Sequence, residues 1–381
     1  GLKDYTGAIK DYTEAINRNQ GNGSDKDWLI FNKLTAIRTS IKNGDSDQAL
    51  KWLIGYDCDT EKDEVVSAFV DVLYYCSLFL NKSLKAAKEE SKKKNGIFYQ
   101  YTSARTLSKI CRLDRVIKRP EKFSLRLYDE RYMNDPQEGM VFIKTIFNDN
   151  YNAYIQEKEW SSALKDRDVF VASLTAENPI ESENTIPLWG TYGKNHTGIA
   201  IAVEITNPPA NPPAKRIQNE LKDDSSQNEP IEMIKITPNL YKVFYDGSDN
   251  DVIGDTVNNI RDNIKKLFDA KVFERKDKEE NTKKIINKIR EAIQKVQFLY
   301  KKNYYSYENE FRIIKEVKHN RALYEKNDPR LFVTLGKTDP NVRLKEIIYG
   351  TNFENPYLWE PIIERNLGEN VKWLSTKIKY R

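Results

Sequence analysis

Cysteine, histidine and long apolar runs are what this chain has least of. Its 381 residues include only Cys58, Cys76 and Cys111, with no CxxC spacing. An odd, sparse count predicts a reducing compartment and no disulfide framework. The two histidines, His196 and His319, argue against a histidine-rich zinc site and against a Ser-His-Asp triad. No run of about 18 apolar residues exists, so no membrane span is expected. The polar first residues show no signal peptide, and the expectation is a soluble, cytoplasmic protein. Charge of one sign is also missing. The 62 basic and 57 acidic residues are interspersed and leave a net +5, so a dedicated nucleic-acid binder is not indicated. The basic run at 92–94, flanked by Glu89 and Glu90, reads as a solvated helix end. Catalysis would then fall to carboxylates, hydroxyls or a bound cofactor, and no metal is expected.

What stands out instead is the string YYSYENEFR at 304–312. Glu308 and Glu310 lie two apart, so on a strand both carboxylates share one face. Paired acids at the rim of a sheet hold sugar hydroxyls or stabilise a cation. Two further polar signatures lie upstream, MNDPQEG at 133–139 and LWGTYGKNHTG at 188–198. Together they predict one polar site assembled from distant segments.

Residues 1–95 read as helical. In GLKDYTGAIKDYTEAI, Tyr5, Ala8, Ile9, Tyr12, Ala15 and Ile16 fall on one face. The segment resembles the second helix of a tetratricopeptide repeat. A weaker unit follows at 36–54, with Gly44 and Asp45 at the turn and Ala49 where Ala8 stands in the first. A polar insert at 21–27 lengthens the spacing. A further apolar helix is expected at about 64–82. Because the resemblance starts on a second helix, the parent protein is expected to extend N-terminally, with the repeats offering a groove to a protein partner. The competing expectation is an irregular helical bundle that caps the next domain.

From residue 96 the pattern changes, and 96–381 reads as a second domain. Strand-like runs occur at 97–103, 123–128, 169–175, 198–205, 240–246, 308–314, 331–335, 344–350 and 371–380. Helical patterns occur at 103–113, 138–160 and 356–366. Residues 206–230 are a polar, Pro/Asn-rich insert. Residues 255–302 are a Lys-rich helical insert broken near 276–280. Asn134, Asp135 and Pro136 carry a turn signal. Strands scattered among helices without regular alternation predict an α+β fold, with a mixed or antiparallel split sheet.

The order of motifs across 97–350 resembles an uncharacterised bacterial family, a domain of unknown function. The matching pieces are Tyr99-Gln100-Tyr101, Asn134-Asp135-Pro136, Ser173, Trp189/Tyr192/Gly198, Glu308/Glu310/Arg312 and Ile347 to Gly350. The same order looks distantly like the ADP-ribosyltransferase superfamily, whose arginine-modifying members carry E-x-E on a late strand. Ser173 departs from that pattern, being followed by Leu174-Thr175, and no histidine stands at Gln100 or Tyr101. The resemblance implies NAD as substrate, Glu310 as catalytic carboxylate and Glu308 as the group that positions or deprotonates the acceptor. Ser173 would be a further catalytic residue and Arg126 the pyrophosphate partner. Tyr101, Trp189, Tyr192 and Asn134 would complete the binding site. A carboxylate at the ribose suits the oxocarbenium-like state of nicotinamide–ribose cleavage.

Several competing expectations stand beside this one. Glu308 and Glu310 pair with Arg312 and nearby lysines on a solvated strand face. Trp189 and Tyr192 are core aromatics, Ser173 is a satisfied buried hydroxyl, and His196 is a loop residue. A non-enzymatic protein would use the repeats for a partner and the second domain for a nucleotide-like ligand. A nuclease would gather Asp135, Glu138 and Glu310 on a metal, without the clustered acids usual for such a site.

Overall fold

A computed structural model describes residues 7–9, 11, 14–15, 32–39, 63–111, 113, 123–133, 139–148, 168–206, 239–247, 251–272, 280–317, 321–325, 328–336, 339–368 and 370–378. Its strands are β1 (Ile97–Thr102), β2 (Arg126–Asp129), β3 (Asp168–Thr175), β4 (Ile199–Thr206), β5 (Leu240–Lys242) and β6 (Phe244–Tyr245). They continue as β7 (Tyr300–Lys301), β8 (Glu310–Val317), β9 (Leu323–Glu325), β10 (Asp328–Thr334), β11 (Asn341–Tyr349) and β12 (Lys372–Ser375). The sheet runs β12-β11-β4-β1-β3-β2-β10-β9, with β8 and then β5 attached to β3. Every pairing in it is antiparallel except β11 with β12. The expected α+β class with a mostly antiparallel sheet is what is found.

The apolar runs explain the central strands. VFVASL in β3 and IAIAVEI in β4 are nearly continuous, and both strands are buried on both faces. On β3, Val169 and Val171 join one core, while Phe170, Ala172 and Leu174 join the other. The first core lies under three helices, Asp63–Lys93, Asp251–Asp269 and Glu280–Val296. Phe79 centres it, with edge-on contacts to Phe142, Phe244 and Tyr300. The break expected within 255–302 falls between the second and third of these helices.

The sheet divides at β3. One edge of β3 pairs with β8 along its whole length, from Asp168↔Val317 to Thr175↔Glu310. Its other edge is shared. Phe170 and Val171 pair with β2, and Thr175 pairs with Tyr99 of β1. Ser173 faces the notch between them.

Helical character holds for the described residues before residue 95, at 7–9, 11, 14–15, 32–39 and 63–93. Repeat pairing is not shown. The last of these is one continuous helix of 31 residues, which contains and extends the apolar helix expected at about 64–82. One apolar core crosses residue 95, since Ile9, Leu34, Ile37 and Phe69 share it with Val171 and Ile314. By length and composition Glu64–Lys93 could cross a membrane. Its buried Val66, Phe69, Val70, Leu73 and Phe79 give it the apolar face of a core helix instead. The insert beyond Thr206, through 230, lies outside the described residues.

Candidate active site

Glu308 and Glu310 do come together, but not as neighbours on one strand. Glu308 ends a 3-10 turn, Asn303–Glu308, and Glu310 opens β8. Between them Asn309 adopts the left-handed conformation at φ 41°. Asparagine tolerates this region better than most residues. The Asn309 amide is tied at both ends. Its Nδ2 donates to Glu177 Oε1 at 2.9 Å, and its Oδ1 accepts from Lys242 Nζ.

Lys301 binds both acids. Its Nζ donates to Glu308 Oε2 at 2.7 Å and to Glu310 Oε2 at 3.1 Å. Pairing of Tyr245 with Lys301 across β6 and β7 places this lysine. Arg312 then grips Glu310 through Nε at 2.7 Å and Nη2 at 2.9 Å, and its Nη1 donates to the Phe298 carbonyl. The Tyr192 hydroxyl donates to Glu308 Oε1 at 2.6 Å. Arg312 is 0% exposed, and Lys301, Glu308 and Glu310 are each 4% exposed. The expected pairing of these acids with Arg312 and a lysine is therefore present, but it is buried and not on a solvated face. With all four side chains ionised the cluster is neutral, which is what allows it to be buried.

The two carboxyls are pushed apart in proton affinity. Burial and then the Glu310 charge raise Glu308. Burial would raise Glu310 as well, but the charges of Arg312 and Lys301 reverse this and hold it low. The two neighbouring carboxyls thus differ in proton affinity, Glu308 holding a proton more firmly than Glu310.

A cleft of about 590 Å³ opens over these groups. Glu308, Glu310, Lys301 and Ser173 line it, with seven tyrosines, Tyr99, Tyr101, Tyr128, Tyr132, Tyr192, Tyr305 and Tyr307. The exposed Lys194 and Arg330 line its outer part. The Ser173 hydroxyl is buried and makes no formed hydrogen bond, yet it lies close enough to Glu310 to favour that carboxylate's charge. It sits opposite Arg312 across the β3–β8 ladder.

Of the residues expected at the site, Ser173, Tyr101, Tyr192, Glu308 and Glu310 share this cleft. Two do not. Arg126 lines an adjoining cavity of about 200 Å³ that shares Gln100, Thr106 and Tyr128 with the cleft, where it pairs with Glu325 and stacks on Phe332 at 4.3 Å. Trp189 is wholly buried, its Nε1 donating to the Pro179 carbonyl at 3.3 Å, and cannot stack on a ligand. It is the core aromatic of the competing expectation, edge-on to Tyr101 and flat against His196. His196 is buried beside it, and burial lowers its proton affinity. Asn134, Asp135 and Glu138 lie outside the described residues. Among the described residues no group of three His, Cys, Asp or Glu side chains is placed to hold a metal.

The two motif glycines act by allowing close approach. A Cβ at Gly198 would fall 2.4 Å from the Thr102 carbonyl oxygen, and one at Gly350 would fall 2.1 Å from that of His196. Gly350 N–H also donates to the Gly198 carbonyl at 3.1 Å. These contacts clamp the 193–198 turn onto the ends of β1 and β11 and so fix Tyr192 beside the cleft.

Sequence reasoning missed Lys301, Tyr245, Arg330 and the Asn309 kink. Only Asn309 carried a readable signal, as an asparagine between two acids at the end of a polar run. Residues 188–313 match the family described as Protein of unknown function (DUF2971). That segment contains Tyr192, Lys301, Glu308, Glu310 and Arg312. No curated protein matches the chain, and no solved structure does.

Proposed function

We propose that the cleft binds NAD and cleaves its nicotinamide–ribose bond, passing the ADP-ribosyl group to water or to an acceptor. The observation that carries this reading is the pair of carboxylates on one lysine, lining a cleft with tyrosines, with the proton affinity of one raised and of the other lowered. As the glycosidic C–N bond breaks, its electron pair goes to the nicotinamide nitrogen and neutralises the ring. Positive charge develops on the ribose, and Glu310 offers a fixed negative charge to it. Glu308, once ionised, takes the proton of the attacking water or acceptor hydroxyl. The tyrosines offer faces for the aromatic rings of the substrate. Lys194, exposed at the rim, is offered to the phosphates, with Arg330 joining it where its pair with Asp328 opens. The tetratricopeptide reading of 1–95, with a protein partner, belongs to the same proposal and rests on the helical pattern of that segment.

The test is nicotinamide release from NAD by the purified chain, with Glu308→Gln and Glu310→Gln as controls. Release that both variants abolish, while keeping the wild-type circular dichroism, is the expected result. Absence of NAD binding by calorimetry would overturn it. One observation favours a second reading, a ligand-binding module without turnover. Arg312, Lys301 and Tyr192 already occupy both carboxylates. In that case NAD binds and survives prolonged incubation intact.

A further inference from the structure

Glu308 and Glu310 reach Lys301 from two different elements, a 3-10 turn and a strand. One residue joins those elements, so its backbone sets the angle between the acids. Asn309 takes φ 41° and ψ 53° there. A local turn signal alone would not require its side chain. That side chain nevertheless spans two further segments. Glu177, in the turn after β3, accepts from Nδ2 at 2.9 Å. Lys242, on β5, donates to Oδ1.

Both anchors are themselves held. The Ser182 hydroxyl donates to Glu177 Oε2 at 3.2 Å, and Glu177 N–H donates to Thr175 Oγ1 at 3.1 Å. Lys242 Nζ lies 4.3 Å from the centre of the Phe311 ring, and its carbonyl accepts from Ser83 of the long helix at 2.7 Å. Burying a lysine ammonium is unfavourable, and here burial lowers Lys242 to about 8. A bracket of this kind is more than one left-handed turn needs.

We infer that Asn309 is a positioning residue: with Glu177 and Lys242 it sets the angle at which both carboxylates meet Lys301. This deepens the functional reading above, although the bracket is tested without it. The groups that face Glu308 are Lys301 on β7, Glu310 on β8, Tyr245 on β6, Tyr192 after the helix Ile186–Thr191, and its own neighbour Tyr307. Removing the bracket frees Glu308 to swing into the cleft, toward water and away from Glu310.

The experiment uses the full chain, labelled with carboxyl-carbon-13 glutamate, and follows the Glu308 resonance against pH by NMR. Loss of the signal in Glu308→Gln assigns it. Asn309→Gly keeps access to the left-handed backbone and removes only the side chain. Lys242→Met keeps the apolar stem over Phe311 and removes the donor. The expected result is a Glu308 midpoint that falls toward the ordinary glutamate value in each folded variant. Where nicotinamide release is measurable, kcat falls at least about tenfold with little change in KM, because a small misplacement of reacting groups lowers the rate and not the binding. A Glu308 midpoint that stays at the wild-type value in a folded variant overturns the inference. If the wild type releases no nicotinamide, the NAD reading fails and the titration still decides the role of Asn309.

Discussion

Replacing Lys301 by methionine removes the one cation that two buried carboxylates share. Glu310 keeps Arg312, whereas Glu308 keeps only the Tyr192 hydroxyl. Breaking a buried ion pair from one side costs about 3–5 kcal/mol, because the remaining charge is left without compensation. Glu308 escapes that cost by taking up a proton. Its folded proton affinity is already raised, and loss of Lys301 raises it further. The unfolded chain releases that proton at about pH 4.3. Between that value and the folded one, the folded state holds more protons, so stability falls as pH rises. The slope is at most about 1.4 kcal/mol per pH unit. From about pH 8 down to about pH 5 the relief reaches at most about 4 kcal/mol, comparable with the whole penalty. Urea unfolding of Lys301→Met, followed by circular dichroism, should therefore show a large loss at about pH 8 and a small one at about pH 5. Adding Glu308→Gln should restore most of the loss at the higher pH, since a neutral amide needs no cation. Equal destabilisation at both pH values, or no rescue in the double variant, would refute the reasoning.

The remaining predictions concern the cluster and its frame. Tyr192→Phe removes a 2.6 Å hydrogen bond to a carboxylate, so it should cost about 2 kcal/mol in urea unfolding. It should also raise the Glu308 midpoint in the NMR titration, because that hydroxyl favours the ionised form. Arg312→Met leaves Glu310 with Lys301 alone and should cost about 3–5 kcal/mol. Glu310 is held low, so its contribution to stability is present above about pH 4.3 and is lost as pH falls through its depressed folded value. An acid titration followed by circular dichroism should show this component missing in Glu310→Gln. Gly350→Ala drives a Cβ to within 2.1 Å of the His196 carbonyl oxygen and should cost about 3 kcal/mol in the same unfolding assay.

How much of this was legible in the sequence depended on whether the deciding contacts were local. The runs in β3 and β4 were readable because both faces are buried, and an uninterrupted apolar string has few other uses. The acids at 308 and 310 were noticed for their spacing, yet the period-two argument assumed a strand that Asn309 interrupts. The two acids do approach each other, but on Lys301 and across a kink that the period-two argument did not contain. Lys301 is one of 62 basic residues, and only the pairing of β6 with β7 distinguishes it from the others. Arg126 was placed by its position in FSLRLY, but its direction is set by Glu325 and Phe332, some two hundred residues away in the chain. Trp189 had the composition of a ligand platform and the burial of a core residue, and composition cannot separate the two. The notch at β3 depends on three strands sharing one neighbour, which no window of sequence contains.

The order of strands has a practical consequence for work on the segment 188–313. That stretch carries β4 and cuts β8 after Ile313, and it lacks β1 and β11, the partners of β4, and β3, a partner of β8. Excised, it would present both edges of the apolar β4 and one edge of the truncated β8, all unpaired, to other copies of itself. The segment defined by family similarity is thus not a unit that folds by itself. A recombinant fragment cut at those boundaries should be recovered as aggregate, and a soluble one needs at least residues 97–175, 314–317 and 341–349 restored around it.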